Sequence, residues 1–137
     1  MNAHTESLLV PGPVGKIELA VDRPAQPRAQ GGVAVISHPH PLFGGTMHNK
    51  VVQSLARAFV QAGWVTVRYN FRGVGQTEGV HDHGVGEAQD LLAVVASQAP
   101  TGPLALAGFS FGAFVTCQGV ALGLAQRSPE KLLLVGT

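Results

Sequence analysis

The sequence predicts an α/β fold, a mostly parallel sheet with helices on both faces, and three observations lead to this prediction. Short runs of continuous apolar residues, at 32–37 and 104–107, are typical of strands that are covered on both sides. Segments with helical spacing of apolar residues separate such runs, which is the order of strand, crossover helix and strand. Hydrophobic residues make up 45% of the chain and charged residues 12%, so a buried sheet is expected rather than disorder.

Local patterns place the elements along the chain. Alternation, or a run of β-branched, aromatic or apolar residues, indicates the strands, and apolar residues three and four apart indicate the helices. Acidic residues after Gly86 favour a helix start there, and Gly63 is a typical helix stop. Strands are predicted at 14–21, 32–37, 64–70, 104–107 and 131–135, and helices at 50–62, 86–98 and 111–126.

Length and composition exclude several classes of protein. The 137 residues predict one domain, 1–137, and the net charge of +1 without a basic run argues against nucleic acid as a partner. We expect no contact with a membrane, because no apolar run approaches the roughly 18 to 20 residues that a spanning helix needs. The single cysteine and the lack of a secretory signal predict a cytoplasmic protein. We expect that cysteine, Cys117, to be a small core residue.

The segment Gly108-Phe109-Ser110-Phe111-Gly112 is the strongest local motif in the sequence. An apolar run precedes it and a long apolar segment follows it, which predicts a strand, a sharp turn that exposes Ser110, and a helix. A serine held in such a turn needs neighbours without side chains, which explains Gly108 and Gly112. We therefore predict that Ser110 is a catalytic nucleophile, with the N–H groups of the following helix stabilising negative charge on a substrate oxygen.

Three predicted loops follow strands of the sheet: 38–45, 71–79 and the turn at Ser110. Ligands of parallel α/β sheets bind at the carboxyl ends of the strands, so we expect these loops to converge on one site.

These segments together resemble the α/β-hydrolase superfamily. The Ser110 turn, His38-Pro39-His40-Pro41 and Phe71-Arg72-Gly73 are similar to the corresponding segments of its small, lidless bacterial esterase-like members. The resemblance implies a small-molecule acyl substrate, no cofactor, and transfer of the acyl group through Ser110 to water. It also implies an oxyanion hole made from two backbone N–H groups. One belongs to Phe111; the other belongs to His40, with Leu42 as second choice.

The histidines and Arg72 have alternative interpretations. His38 and His40, or His81 and His83, have the spacing of a metal-binding pair, but only Asp82 lies nearby, so we predict no metal site. We expect His38 and His40 to shape the oxyanion loop, and His81 and His83 to lie in a solvated loop.

Arg72 either clamps a substrate carboxylate or ties down its own loop through backbone carbonyls or Asp90. We favour the structural role for Arg72, together with Gly73. The spacing of Gly73, Gly75 and Gly79 does not match a dinucleotide-binding motif.

The usual partners of a nucleophilic serine are not evident after Ser110. The segment contains one carboxylate, Glu130, and no histidine, whereas this fold places the acid and then the histidine after the serine. Glu130 directly precedes a strand, so we expect it at the edge of the sheet opposite the site. The sequence therefore predicts an incomplete α/β-hydrolase fold, the N-terminal part of a longer hydrolase.

The alternative is a complete, inactive protein that binds a ligand or a partner. In either case we expect the apolar strand at 131–135 to be exposed, so that the chain self-associates through it.

Overall fold

The computed structural model describes residues 4–123 and 127–136. Within these residues, six strands form one sheet in the order β1-β2-β4-β3-β5-β6, and three α-helices cover it. The strands are β1 (Glu6–Gly12), β2 (Gly15–Asp22), β3 (Val33–Ser37), β4 (Val65–Tyr69), β5 (Leu104–Phe109) and β6 (Lys131–Val135); the helices are α1 (Lys50–Gln61), α2 (Val85–Gln98) and α3 (Phe111–Gly123). The predicted α/β class and the mostly parallel sheet are confirmed, since β4, β3, β5 and β6 are parallel neighbours.

One strand is missing from the sequence prediction. β1 forms an antiparallel hairpin with β2, in register from Glu6 opposite Val21 to Gly12 opposite Gly15. β2 in turn pairs antiparallel with β4. Strand β1 is an edge strand with mostly exposed side chains, so its sequence lacks the continuous apolar run that marks the buried strands.

The helices bury opposite faces of the sheet. On one face, α1 presents Val52, Ala56 and Phe59 to Ala34 and Ile36 of β3. On the other face, α2 and α3 pack over alternate residues of the same strands. Because successive side chains of a strand point to opposite faces, one apolar run such as β3 contributes to both cores.

Helix α3 differs from its prediction in two respects. It ends at Gly123 within the described residues, and the predicted last turn, 124–126, lies outside them. The prediction that Cys117 is a core residue is wrong, because its side chain is exposed. Val115, Thr116 and Gly119 are buried in α3 instead, and Cys117 lies on the face turned away from them.

No helix in the described part of the chain is long and apolar enough to cross a bilayer.

Candidate active site

Ser110 lies in the turn between β5 and α3, as the sequence predicts. Its backbone has a φ of +59°, a left-handed conformation that costs an L-residue with a side chain roughly 1 to 2 kcal/mol. The turn is fixed on both sides, since the Ser110 N–H donates to Val135 O at 2.8 Å and the Ala113 N–H donates to Ser110 O at 2.9 Å. Strain of this kind persists where the surrounding structure imposes it, and it is common at functional sites.

The two glycines around Ser110 are sterically required. A Cβ atom on Gly108 would lie 2.4 Å from Gly112 O, and one on Gly112 would lie 2.2 Å from Ser37 O. Both contacts involve backbone atoms, which cannot rotate away. The start of α3 therefore lies directly against the end of β3, and the loop that follows β3 is brought beside Ser110.

His38 anchors that loop to the neighbouring strand. Its side chain is fully buried, with Nδ1 2.6 Å from Pro39 O and Nε2 3.0 Å from the Phe71 N atom. The Phe71 N–H can only donate, so Nε2 accepts and Nδ1 carries the proton that bonds Pro39 O. The imidazole is therefore neutral, and it joins the loops after β3 and β4.

This contact predicts a pH dependence of stability. Burial lowers the pKa of His38 to about 4, whereas a histidine in the unfolded chain titrates near pH 6.5. Between these values the unfolded chain binds a proton that the folded protein does not, so stability falls as pH falls. Relative to a His38→Gln variant, the free energy of unfolding should decrease by roughly 3 kcal/mol from pH 7 to pH 4. Urea titrations followed by Trp64 fluorescence test this, and parallel pH profiles of the two proteins would contradict it.

His40 and Phe111, the residues predicted to provide the oxyanion donors, lie side by side. The rings of His40 and Phe111 lie 4.5 Å apart, although the residues come from different loops. The Phe111 N–H is in the first turn of α3, where a helix has no internal acceptor for its N–H groups. Leu42 is a weaker candidate, because its N–H donates to His40 Nδ1 at 3.2 Å within a short 3-10 turn.

Arg72 makes the contacts that a structural role requires. Its Nε and Nη2 donate to Asp90 at 2.8 Å each, and Nη2 also donates to Gly86 O at 3.0 Å. These hydrogen bonds to Asp90 raise the pKa of the guanidinium, and both side chains are buried. Gly73, with a φ of +84°, turns the same loop and donates to Thr77 O at 3.1 Å.

The prediction that His81 lies in a solvated loop is wrong. Its side chain is only 11% exposed and lies against the site, with ring centroids 4.9 Å from His40 and 5.6 Å from Phe111. No local pattern indicates this, because the contacts join residues far apart in sequence. His83 is exposed, as predicted.

Over residues 4–123 and 127–136, no three His, Cys, Asp or Glu side chains are grouped so that they could hold a metal.

Glu130 lies away from Ser110. Its carboxylate pairs with Arg28 at 2.7 Å, and its N–H donates to Leu104 O at the start of β5, whereas Ser110 follows the end of that strand.

Two polar residues, Asn70 and Glu18, order the loops, although no role is predicted for either from the sequence. Asn70 accepts a hydrogen bond from the Met47 N–H at 2.9 Å and donates one to Glu18 Oε1 at 2.9 Å. Glu18 in turn accepts from the Gln76 N–H at 2.8 Å. A polar residue directly after a buried strand is the sequence feature that could have indicated Asn70. Its hydrogen-bond partners depend on the sheet topology and could not have been predicted.

The comparisons agree with this architecture. Residues 15–132 match the family of X-Pro dipeptidyl-peptidases (S15 family). XC6422 from Xanthomonas campestris, described as an α/β serine hydrolase without a lid, is 43% identical with a TM-score of 0.85 over 98% of this chain and 62% of that protein. An α/β serine hydrolase homologue from Coxiella burnetii is 41% identical, with a TM-score of 0.82 and the same coverage.

An uncharacterized protein of Rickettsia prowazekii (strain Madrid E) is 40% identical over 123 residues, which are 87% of this chain and 49% of that protein. The chain thus spans about half the length of this curated relative and 62% of the two solved structures.

Proposed function

Because the chain belongs to the X-Pro dipeptidyl-peptidase (S15) family of the α/β-hydrolase superfamily, we propose that it carries the nucleophile of a serine hydrolase. The substrate is a carboxylic ester or a related small acyl compound. Ser110 Oγ bonds to the carbonyl carbon, the alcohol departs with a proton, and water then releases the acid from the acyl-enzyme.

The left-handed backbone of Ser110 is the observation that carries the proposal. A φ of +59° at a non-glycine residue, between a buried strand and a helix, is the geometry expected of a serine nucleophile in this fold. The contact between the rings of Phe111 and His40 supports it, because it places the loop after β3 beside the residue that follows Ser110, and the two N–H groups of these residues are the proposed donors to the oxyanion.

Residues 1–137 provide only part of the catalytic chemistry of such a hydrolase. A serine needs a general base, and no histidine follows Ser110 in this sequence. We propose that the chain alone hydrolyses esters at a residual rate, because loss of triad members costs on the order of 10⁴ to 10⁶ in rate.

Covalent labelling tests the nucleophile directly. A fluorophosphonate should modify Ser110 in the folded protein, forming a bond from Oγ to phosphorus and releasing fluoride. Peptide mapping by mass spectrometry should find the adduct on Ser110 and not on the exposed Ser54, and the Ser110→Ala variant should remain unmodified. Because no histidine follows Ser110 in this sequence, labelling is expected to be slow; a folded protein with no more adduct on Ser110 than on Ser54 after prolonged incubation would contradict the proposal.

A second candidate function is self-association without catalysis. The observation that favours it is the edge strand β6, in which Leu132, Leu133 and Leu134 are 42 to 46% exposed. Such an apolar edge is able to pair with another copy of the chain. Absence of Ser110 labelling, together with a dimer or larger species in sedimentation, would favour this candidate over the hydrolase.

A further inference from the structure

His81 lies at the centre of a group of aromatic rings beside the candidate active site. We call this group the His81 cluster; it comprises His40, His81, His83 and Phe111. The His81 ring centroid is 4.8 Å from that of His83, 4.9 Å from that of His40 and 5.6 Å from that of Phe111. His81 therefore contacts both residues whose backbone N–H groups are the proposed oxyanion donors.

The loop that carries His81 is anchored by Glu87 in the first turn of α2. Glu87 is fully buried and accepts hydrogen bonds from the Asp82 N–H at 2.8 Å and the Gly84 N–H at 2.9 Å. Its Oε2 also lies 3.3 Å from His81 Nδ1. The backbone on the C-terminal side of His81 is thus fixed to α2, which gives the ring a rigid support.

The ring of His81 acts through packing in this arrangement. Both ring nitrogens are buried, and neither makes a hydrogen bond to another described residue. The contact of Nδ1 with Glu87 Oε2, 3.3 Å apart, holds one edge of the ring without meeting hydrogen-bond geometry. What the ring supplies is a flat surface of fixed orientation against His40 and Phe111.

We propose that His81 is a positioning residue. Supported by Glu87, its ring holds the loop that contains His40 against Phe111, so that the two N–H groups keep one arrangement in which both can bind an oxyanion. This inference rests on the proposed hydrolase function for its catalytic consequence. The geometric part, that His81 fixes the backbone of His40 and Phe111, is testable without catalysis.

The experiment compares the His81→Ala, His81→Phe and His48→Ala variants with the unmodified protein. His48 is exposed, so its variant is the matched control for loss of a histidine. Two quantities are measured: the saturation kinetics of fluorophosphonate labelling at Ser110, and the ¹⁵N–¹H shifts of the His40 and Phe111 amides. For His81→Ala we expect the maximal labelling rate to fall about 10- to 100-fold while half-saturation changes little, because only the oxyanion donors are displaced.

His81→Phe should restore the labelling rate to within about threefold of the unmodified protein, since it retains the ring packing. It should also restore the two amide shifts, and His48→Ala should change neither quantity. If His81→Ala does not fold, His81→Leu replaces it, as a side chain of similar bulk without a flat ring.

The outcomes separate this inference from the proposed function. Labelling of His81→Ala at the unmodified rate would overturn the inference, and so would equal loss in His81→Ala and His81→Phe, which indicates proton transfer by the imidazole. If the unmodified protein is not labelled on Ser110 above the level of Ser54 even after prolonged incubation, the hydrolase proposal fails, and the amide shifts decide the inference. Shifts that change in His81→Ala and return in His81→Phe support it; unchanged shifts overturn it.

Discussion

Replacement of Arg72 by methionine is expected to lower the free energy of unfolding by about 3 to 5 kcal/mol, because it leaves the buried Asp90 carboxylate without its cation. Burial raises the pKa of Asp90, and the Arg72 guanidinium opposes this effect through two hydrogen bonds of 2.8 Å. The variant also loses the bond to Gly86 O, which links the loop after β4 to the start of α2. Chemical denaturation followed by Trp64 fluorescence measures the change.

Three further variants test whether the ion pair is the cause. Arg23 pairs with Glu6 at 3.2 Å, but both side chains are at least half exposed, so Arg23→Met should change stability by less than about 0.5 kcal/mol. Adding Asp90→Leu to Arg72→Met removes the unpaired charge and should recover part of the loss. Should Arg72→Met not fold, Arg72→Lys keeps the charge without the two-fold contact and allows a smaller loss to be measured. Equal effects of Arg72→Met and Arg23→Met would contradict the prediction.

Replacement of Gly112 by alanine is expected to destabilise the protein by about 3 kcal/mol, the upper end of the usual cost of overpacking. The new Cβ atom would lie 2.2 Å from Ser37 O and 2.6 Å from His38 O, which are backbone atoms of β3 and the loop after it. Alanine is the better helix former by about 1 kcal/mol, so the steric cost has to exceed that gain. Because relief requires β3 and α3 to separate, labelling of Ser110 should slow as well.

The matched control is another glycine of the same helix. Gly123 is exposed, and a Cβ atom there would meet only the flexible end of the Leu92 side chain. Gly123→Ala should therefore be neutral or slightly stabilising. A Gly112→Ala protein as stable as Gly123→Ala would show that α3 is not held against β3 as described.

The buried strands and the Ser110 turn were predictable from local sequence. The strands β3 and β5 are nearly continuous apolar runs, because parallel strands are covered on both faces and need no alternation. Strand β4 was predictable from its β-branched and aromatic residues. The Gly-x-Ser-x-Gly motif predicts its own turn, since only glycine fits two residues before and two residues after the serine. The edge strand β1 was missed for the opposite reason: its exposed side chains leave little apolar signal.

The placement of His81 and Cys117 could not be predicted locally. The sequence around His81 is rich in polar residues and glycine, which is typical of a solvated loop, yet the start of α2 brings its ring against Phe111. Cys117 lies in an apolar segment, which predicts a helix that is buried on all sides. In the structure only one side of α3 is buried, and Cys117 lies on the exposed side. In both cases burial depends on which element packs against the residue.

The sequence by itself determined the α/β class, the positions of the buried strands along the chain and the turn that presents Ser110, because these follow from local chain geometry and from the covering of both sheet faces. Only the tertiary structure decided which groups surround Ser110. The approach of Gly112 to Ser37 O, the bond from Phe71 N–H to His38, and the contact of His81 with His40 and Phe111 each join separate loops. Such contacts arise from the order of the strands in the sheet and from helix packing. The sequence around each of these residues does not indicate its partner.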